Sequence, residues 1–284
     1  VKRLQKALGY VRRHPGAAFV RFLIYLLSAL GIFTVGAMVV YIVVKGVPNL
    51  KPELFSPVYT SENASMLPAI INTLIVVGVT MLIAVPIGIF SSVYLVEYAK
   101  PGSRFSKLIG TAAETLAGIP SIVYGLFGFI VFVNGMRFGN SLIAGILTLA
   151  IMVLPVIMRT SQEALLAVPA SYREGSYALG AGKLRTVFKV VLKSAMPSIM
   201  SGVILSVGRI VGETAALIYT AGTIPKVAAG LQSSGRTIAV HMYSLMSEGL
   251  YMDEAYAAAV VLLIIVIVIN MLSNLLVKKA EKNE

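Results

Sequence analysis

Long apolar runs separated by short polar ones dominate this chain. Residues 22–44, 68–94, 108–133, 141–158, 198–221 and 255–277 are each almost continuously apolar, and each reaches the roughly 17–25 residues that an α-helix needs to cross a bilayer. The pattern predicts an all-α, polytopic membrane protein with six transmembrane helices. Residues 47–66 carry Pro48, Pro52, Pro57, Asn63 and Ser65 and are expected to form a loop. Residues 97–107 turn around Pro101 and Gly102, and 134–140 form a short turn. The segment 222–253 is long enough for structure of its own, and Ile238, Met242, Leu245 and Met246 predict a short helix within it. His241 has no second His, Cys or carboxylate cluster at ligand spacing, so it is expected to face water and not a metal.

Polar and helix-breaking residues inside the spans change this picture locally. Pro86 and Gly88 sit in the second span, where neighbouring helices can satisfy the freed carbonyl. The third span holds Glu114 near one end and Pro120 six residues later, and Glu114 is expected to reach water and not to relay protons. In the fifth span, Gly208 and Gly212 form a small-x-x-x-small pair that invites close helix approach. Arg209 and Glu213 are four apart, so a continuous helix places them on one face, able to pair. Arg209 lies about 17 Å into the span at 1.5 Å per residue, near the bilayer midplane.

One long stretch, 161–197, is too charged to span and too patterned to be a plain loop. Pro169 suits a first helical turn and Gly180 the left-handed position after a helix end, so a short helix is expected over 169–179. Beyond Gly180, Leu184, Val187, Phe188, Val191, Leu192 and Ala195 recur at helical spacing while Arg185, Lys189 and Lys193 fall four apart. This predicts a second, amphipathic and basic helix, ended by Met196-Pro197.

Composition agrees: 57% of residues are hydrophobic and mean hydropathy is +0.87, above the roughly 45–50% apolar share of soluble domains. The net charge of +12 could suggest nucleic acid, but its distribution does not. With the N-terminus inside, 18 of the 24 Lys and Arg fall on inside segments, five fall outside, and Arg209 alone lies within a span. That asymmetry orients a membrane protein and gives no reason to expect nucleic acid. Residues 1–21 then form a basic cytoplasmic arm before the permanent first span, and residues 22–284 the membrane domain. Cysteine is absent, so disulfides and thiolate metal sites are excluded. No G-x-x-x-x-G-K-[ST] occurs, since the Gly182-Lys183 pair is followed by Leu184, and neither G-x-S-x-G nor H-E-x-x-H is present. A transport subunit without its own nucleotide site is favoured over an enzyme.

Two short helices joined by glycine between spans resemble the coupling loop of ABC importer permeases, the binding-protein-dependent transport permease family. Glu174-Gly175-Ser176 stands where that signature has E-A-A, Gly180 falls in register, and Val190 and Leu192 hold later apolar positions, although Lys193 replaces the signature proline. The runs 119–128 (IPSIVYGLFG) and 208–215 (GRIVGETA) are similar to those of phosphate importers, the Gly-Glu-Thr-Ala order to their PstA-type permeases. The resemblance implies the type I ABC importer permease fold in the bacterial cytoplasmic membrane, multi-pass, with both termini cytoplasmic. It implies as partners a PstC-type second permease, two PstB-type ATPase subunits that use the ATP, and a PstS-type extracytoplasmic phosphate-binding protein. Residue chemistry agrees, since a guanidinium offers charge and planar paired donors to phosphate oxygens: Arg209, Glu213 and Thr214 are expected along the path of inorganic phosphate, with Glu213 positioning Arg209 and partly neutralising it. Other oxyanions (molybdate, sulfate, phosphonate), a secondary transporter, a purely structural Arg209–Glu213 pair, and a loop hairpin resting on anionic membrane lipid remain the alternatives.

Overall fold

The computed structural model describes residues 15–100 and 102–282, and among these every regular element is helical. The α-helices are α1 (Pro15–Gly46), α2 (Leu67–Val93), α3 (Arg104–Ala117), α4 (Ser121–Gly128), α5 (Leu142–Ala167), α6 (Ala170–Ala178), α7 (Lys183–Thr186), α8 (Leu192–Val211), α9 (Ala215–Thr220), α10 (Ile238–Glu248) and α11 (Met252–Lys282). Wider π turns extend α2 over Tyr94–Tyr98 and α4 over Phe129–Gly135, and join α7 to α8 over Val187–Val191. Among the described residues five helical stretches are long and apolar enough to cross a membrane, or six where the bent pair counts as one span. Most of the N-terminal arm, His14 included, lies outside the described residues; α1 already begins at Pro15, within the stretch expected to be arm.

The core is built around α5. Its Leu142, Ile146, Leu149, Met152, Val153 and Ile157 are buried and meet Val76 and Ala84 of α2, Ile210 and Val211 of α8, and Ala216 and Leu217 of α9. Small residues bring these helices together. At Gly202 of α8 a Cβ would collide with the Thr160 side chain of α5, so any larger residue there forces the two helices apart. By contrast α1 exposes almost its whole apolar surface, as a lipid-facing helix does, and touches the bundle through α11, where Tyr41 and Tyr256 stack edge to face at 5.8 Å.

Two spans are not the continuous helices that hydropathy suggests. The third is broken by 106° between Arg104–Ala117 and Ser121–Gly135. Pro120 is extended, with φ −59° and ψ 143°, and it lacks an N–H and disfavours helical geometry in Ile119. Tyr124 bridges the bend, donating to the Leu116 carbonyl at 2.7 Å. Glu114 is exposed on α3. The fifth span begins earlier and stops sooner than expected. Pro197 does not end the preceding helix but sits inside α8, and helix runs from Lys183 to Val211. The carbonyl that Pro197 leaves without a donor belongs to Lys193, an exposed residue whose carbonyl water can serve.

At the opposite end of the bundle from α6 and α7, the 222–251 segment folds back onto α2. The buried Asn72 amide donates to the carbonyls of Lys226 (2.8 Å) and Arg236 (3.2 Å) and accepts from the Ala228 N–H (3.0 Å). The expected helix is present as α10, with Ile238 and Leu245 buried. His241, expected in water, is 1% exposed, because it lies on the face of α10 that packs inward. Tyr59 packs edge-on against it, and Arg236, itself buried, lies 4.7 Å over the Tyr59 ring. Burial, and then the Arg236 charge, push His241 down to about 3, although it also has a backbone contact at Ala64 that favours the charged form. Glu248 is the carboxylate whose field reaches Arg236. His241 thus folds neutral while the unfolded chain takes up a proton near pH 6.5, so its contribution is complete above that pH and is lost as pH falls toward 3. After correction for the slower intrinsic exchange at low pH, the protection of amides in 222–251 should therefore fall between pH 7 and pH 4, and His241→Leu should flatten that dependence.

Candidate functional site

Arg209 stands near the end of α8, the one basic residue inside the apolar stretch 198–221. It is half-buried and lines a cavity of about 780 Å³ between α5, α8 and α11. Val156, Ile204, Leu205 and Val266 supply apolar walls, and Ser201 and Asn270 are the other polar side chains. The Ser201 hydroxyl donates back to the Pro197 carbonyl at 3.3 Å. Arg209 has no hydrogen bond or ion pair among the described residues, and its charge reaches the buried Tyr124 hydroxyl. A guanidinium in this position holds a planar pair of donors ready for an anion.

The expected Arg209–Glu213 pair does not form. The helix stops at Val211, Gly212 closes it, and Thr214 is non-helical with φ −120° and ψ −55°, so the i,i+4 relation that would align the two side chains is broken. Glu213 is buried and turned to α9, where its Oε1 accepts the Ala216 N–H at 3.1 Å. It occupies the capping role that an acidic group suits at a helix start. Thr214 is half-buried in the break, its hydroxyl 3.4 Å from the Gly212 carbonyl. Of the three residues assigned to the anion path, only Arg209 lines the cavity. A Cβ at Gly208 would meet nothing within 4 Å and one at Gly212 only the Gly208 carbonyl, so among the described residues neither marks a tight helix approach. The signal for the break was present: Thr214 followed by Ala-Ala-Leu is an N-cap pattern.

The second site is the 161–197 segment. Gly180 is left-handed (φ +79°), as expected. Its N–H donates to the Tyr177 carbonyl at 2.9 Å and Ala181 donates to that of Ser176 at 3.1 Å, the paired bonds of a glycine-terminated helix. Ser176 and Thr186 share a hydroxyl hydrogen bond of 2.8 Å that ties α6 to α7. Val187 and Val191 are buried against Val93, Leu165 and Val168, with Leu192 half-buried beside them. Val190 is half-buried, and Glu174, Gly175 and Lys193 are exposed. Leu179 at 90% and Leu184 at 67% exposure project from the tip, with Tyr172 and Tyr177 beside them. Large apolar side chains so open on two tied helices are unusual for a surface that only water covers. Sequence reasoning missed Arg173 as an anchor: its guanidinium donates to Glu97 Oε1 at 2.6 and 3.1 Å and to the carbonyls of Leu165 (3.0 Å) and Val168 (2.8 Å).

Residues 84–283 match the family described as binding-protein-dependent transport system inner membrane component. The probable ABC transporter permease YqgI of Bacillus subtilis is 35% identical over 231 residues, 75% of this chain and 77% of that protein. The Haemophilus influenzae phosphate transport system permease PstA is 34% identical over 199 residues, 69% and 70% of the two chains. PstA 1 of Mycobacterium tuberculosis is 42% identical over 154 residues, 54% of this chain but only about half, 50%, of its own length. Among solved structures, a bacterial alginate ABC transporter chain superposes with TM-score 0.69 at 16% identity, covering 94% of this chain and 95% of that one. A chain of the inward-facing MetNI methionine transporter gives 0.63 at 21% identity, covering 76% and 95%. Both support the fold.

Proposed function

The chain belongs to the inner-membrane components of binding-protein-dependent transport systems, and on that premise we propose that it is the permease subunit of an ATP-driven importer of inorganic phosphate. Arg209 carries the reading: a free guanidinium facing a cavity within the membrane region suits a multiply charged oxyanion. Several relatives named as phosphate transport permeases support the same substrate. The exposed tip of α6 and α7 would dock on an ATPase subunit, one of two, while a PstC-type permease completes the pathway and a PstS-type binding protein delivers phosphate from outside. Nothing in this proposal requires the chain to bind nucleotide itself.

Purification of the tagged protein from its membrane should bring down an ATPase and a second permease, and vesicles holding the complex should take up phosphate when ATP and loaded binding protein are supplied. Uptake of molybdate or sulfate in place of phosphate would keep the permease and replace the substrate. Orientation has its own test. Leu179 and Leu250 are 90% and 82% exposed in this chain, so in cells lacking the ATPase subunits, which would otherwise cover Leu179, cysteines at both positions should react after permeabilisation and differ before it only by the side they occupy. In intact cells an impermeant thiol reagent should label Leu250→Cys and spare Leu179→Cys. Labelling in the reverse order would invert the topology.

The turn at Gly180 is a third point of test. No neighbour would clash with a Cβ there, so the cost of Gly180→Val is backbone strain alone, about 1–3 kcal/mol. The variant should insert normally and co-purify with less ATPase, and Gly180→Asn, which tolerates the left-handed region, should keep most of it.

A further inference from the structure

We infer that Asn270 is a second anion-binding group of the Arg209 cavity, its carboxamide offering the oxyanion a neutral donor from α11. The inference rests on the phosphate reading above and adds a residue which that reading does not contain. Asn270 ends a run of thirteen aliphatic residues, 257–269, in a helix that otherwise serves lipid and core. An amide at that point is unfavourable facing hydrocarbon, and polar side chains in such helices turn toward the bundle or a wet cavity. Asn270 does so: it is half-buried and lines the same cavity as Arg209. Its amide has no hydrogen-bond partner among the described residues, and neither has the Arg209 guanidinium. The remaining polar group, the Ser201 hydroxyl, is already committed to the Pro197 carbonyl. The cavity therefore presents two uncommitted polar side chains on different helices, among apolar walls of Val156, Ile204, Leu205 and Val266.

The chemistry of the two is complementary. Guanidinium supplies charge and a planar pair of donors; a carboxamide supplies N–H donors without adding charge, and an oxygen that can accept from a protonated phosphate oxygen. One fixed cation with one neutral donor holds an anion firmly enough to enter and loosely enough to leave, as passage requires. Because α8 and α11 each contribute one group, relative movement of these helices would make or break the site.

The test uses the assembled transporter in vesicles with saturating loaded binding protein, reading phosphate transported per ATP hydrolysed. Leucine inserts into a membrane helix at least as well as asparagine, so Asn270→Leu should reach normal membrane abundance and co-purify with its partners. Its phosphate per ATP should fall about tenfold, the change expected on losing one hydrogen bond to a charged oxygen. Asn270→Gln, which keeps the amide, should recover at least part of it. Wild-type coupling in Asn270→Leu overturns the inference, and so does an equal loss in Asn270→Leu and Asn270→Gln, which marks a packing role. Arg209→Gln measured alongside separates the two levels: if it transports normally the phosphate path itself is misplaced, whereas its failure beside a normal Asn270→Leu removes Asn270 alone.

Discussion

Arg209→Gln is expected to reduce phosphate uptake at least about 100-fold, the loss of two charge-assisted hydrogen bonds, with membrane abundance and assembly close to wild type. Moving an anion into a low-dielectric region without a counter-charge is strongly unfavourable, and Arg209 is the one cation within its span. Since no acidic partner neutralises it among the described residues, removing the charge leaves no buried carboxylate stranded, and the variant should fold. Arg209→Lys should recover little, because a point charge lacks the planar fork. Glu213 acts elsewhere, at the start of α9, so Glu213→Gln should lower stability without rescuing Arg209→Gln, and the two changes should combine additively. Normal uptake by Arg209→Gln would remove the residue from the anion's path. Restoration of uptake in the double variant would reinstate a direct pair.

Hydropathy made the spans legible because the bilayer imposes length and apolarity on any helix that crosses it. The same pattern is blind to a backbone that breaks while staying apolar. Gly118-Ile119-Pro120 and Gly212-Glu213-Thr214 interrupt helices without interrupting hydrophobicity, and the second break carried with it the pairing inferred from four-residue spacing. The turn at Gly180 could be read because a left-handed residue has a local chemical requirement. His241 and Arg236 could not, since their burial depends on Tyr59, about 180 residues away in sequence, folding over them. The Arg209 cavity was half legible: its charge announced itself, whereas the contribution of Asn270 follows from how α11 lies against α8.

Arg173→Met should uncouple ATP hydrolysis from transport more severely than any change at the exposed tip. Arg173 belongs to α6, yet its four side-chain hydrogen bonds go to other elements: two to Glu97 at the end of the helix begun by α2, and two to Leu165 and Val168 where α5 ends. Those carbonyls lie at a helix C-terminus, where intrahelical donors run out and a cation is favoured. The side chains are 21% and 7% exposed, so the pair is shielded well enough for removal of one partner to be costly. Arg173→Met leaves Glu97 buried and unpaired together with two uncapped carbonyls, a loss on the order of 3 kcal/mol. This cost falls on the junction that fixes α6 against α2 and α5, and the spans need not unfold. Protease sensitivity of 169–191 should rise, while phosphate transported per ATP drops. Arg173→Lys should rescue only in part, since one ammonium cannot serve two helix ends at once. Adding Glu97→Leu to Arg173→Met should restore protease resistance by removing the stranded charge, but should leave coupling impaired if the guanidinium sets the angle of α6. Wild-type protease resistance and coupling in Arg173→Met would show that the buried valines Val187 and Val191 hold the loop unaided.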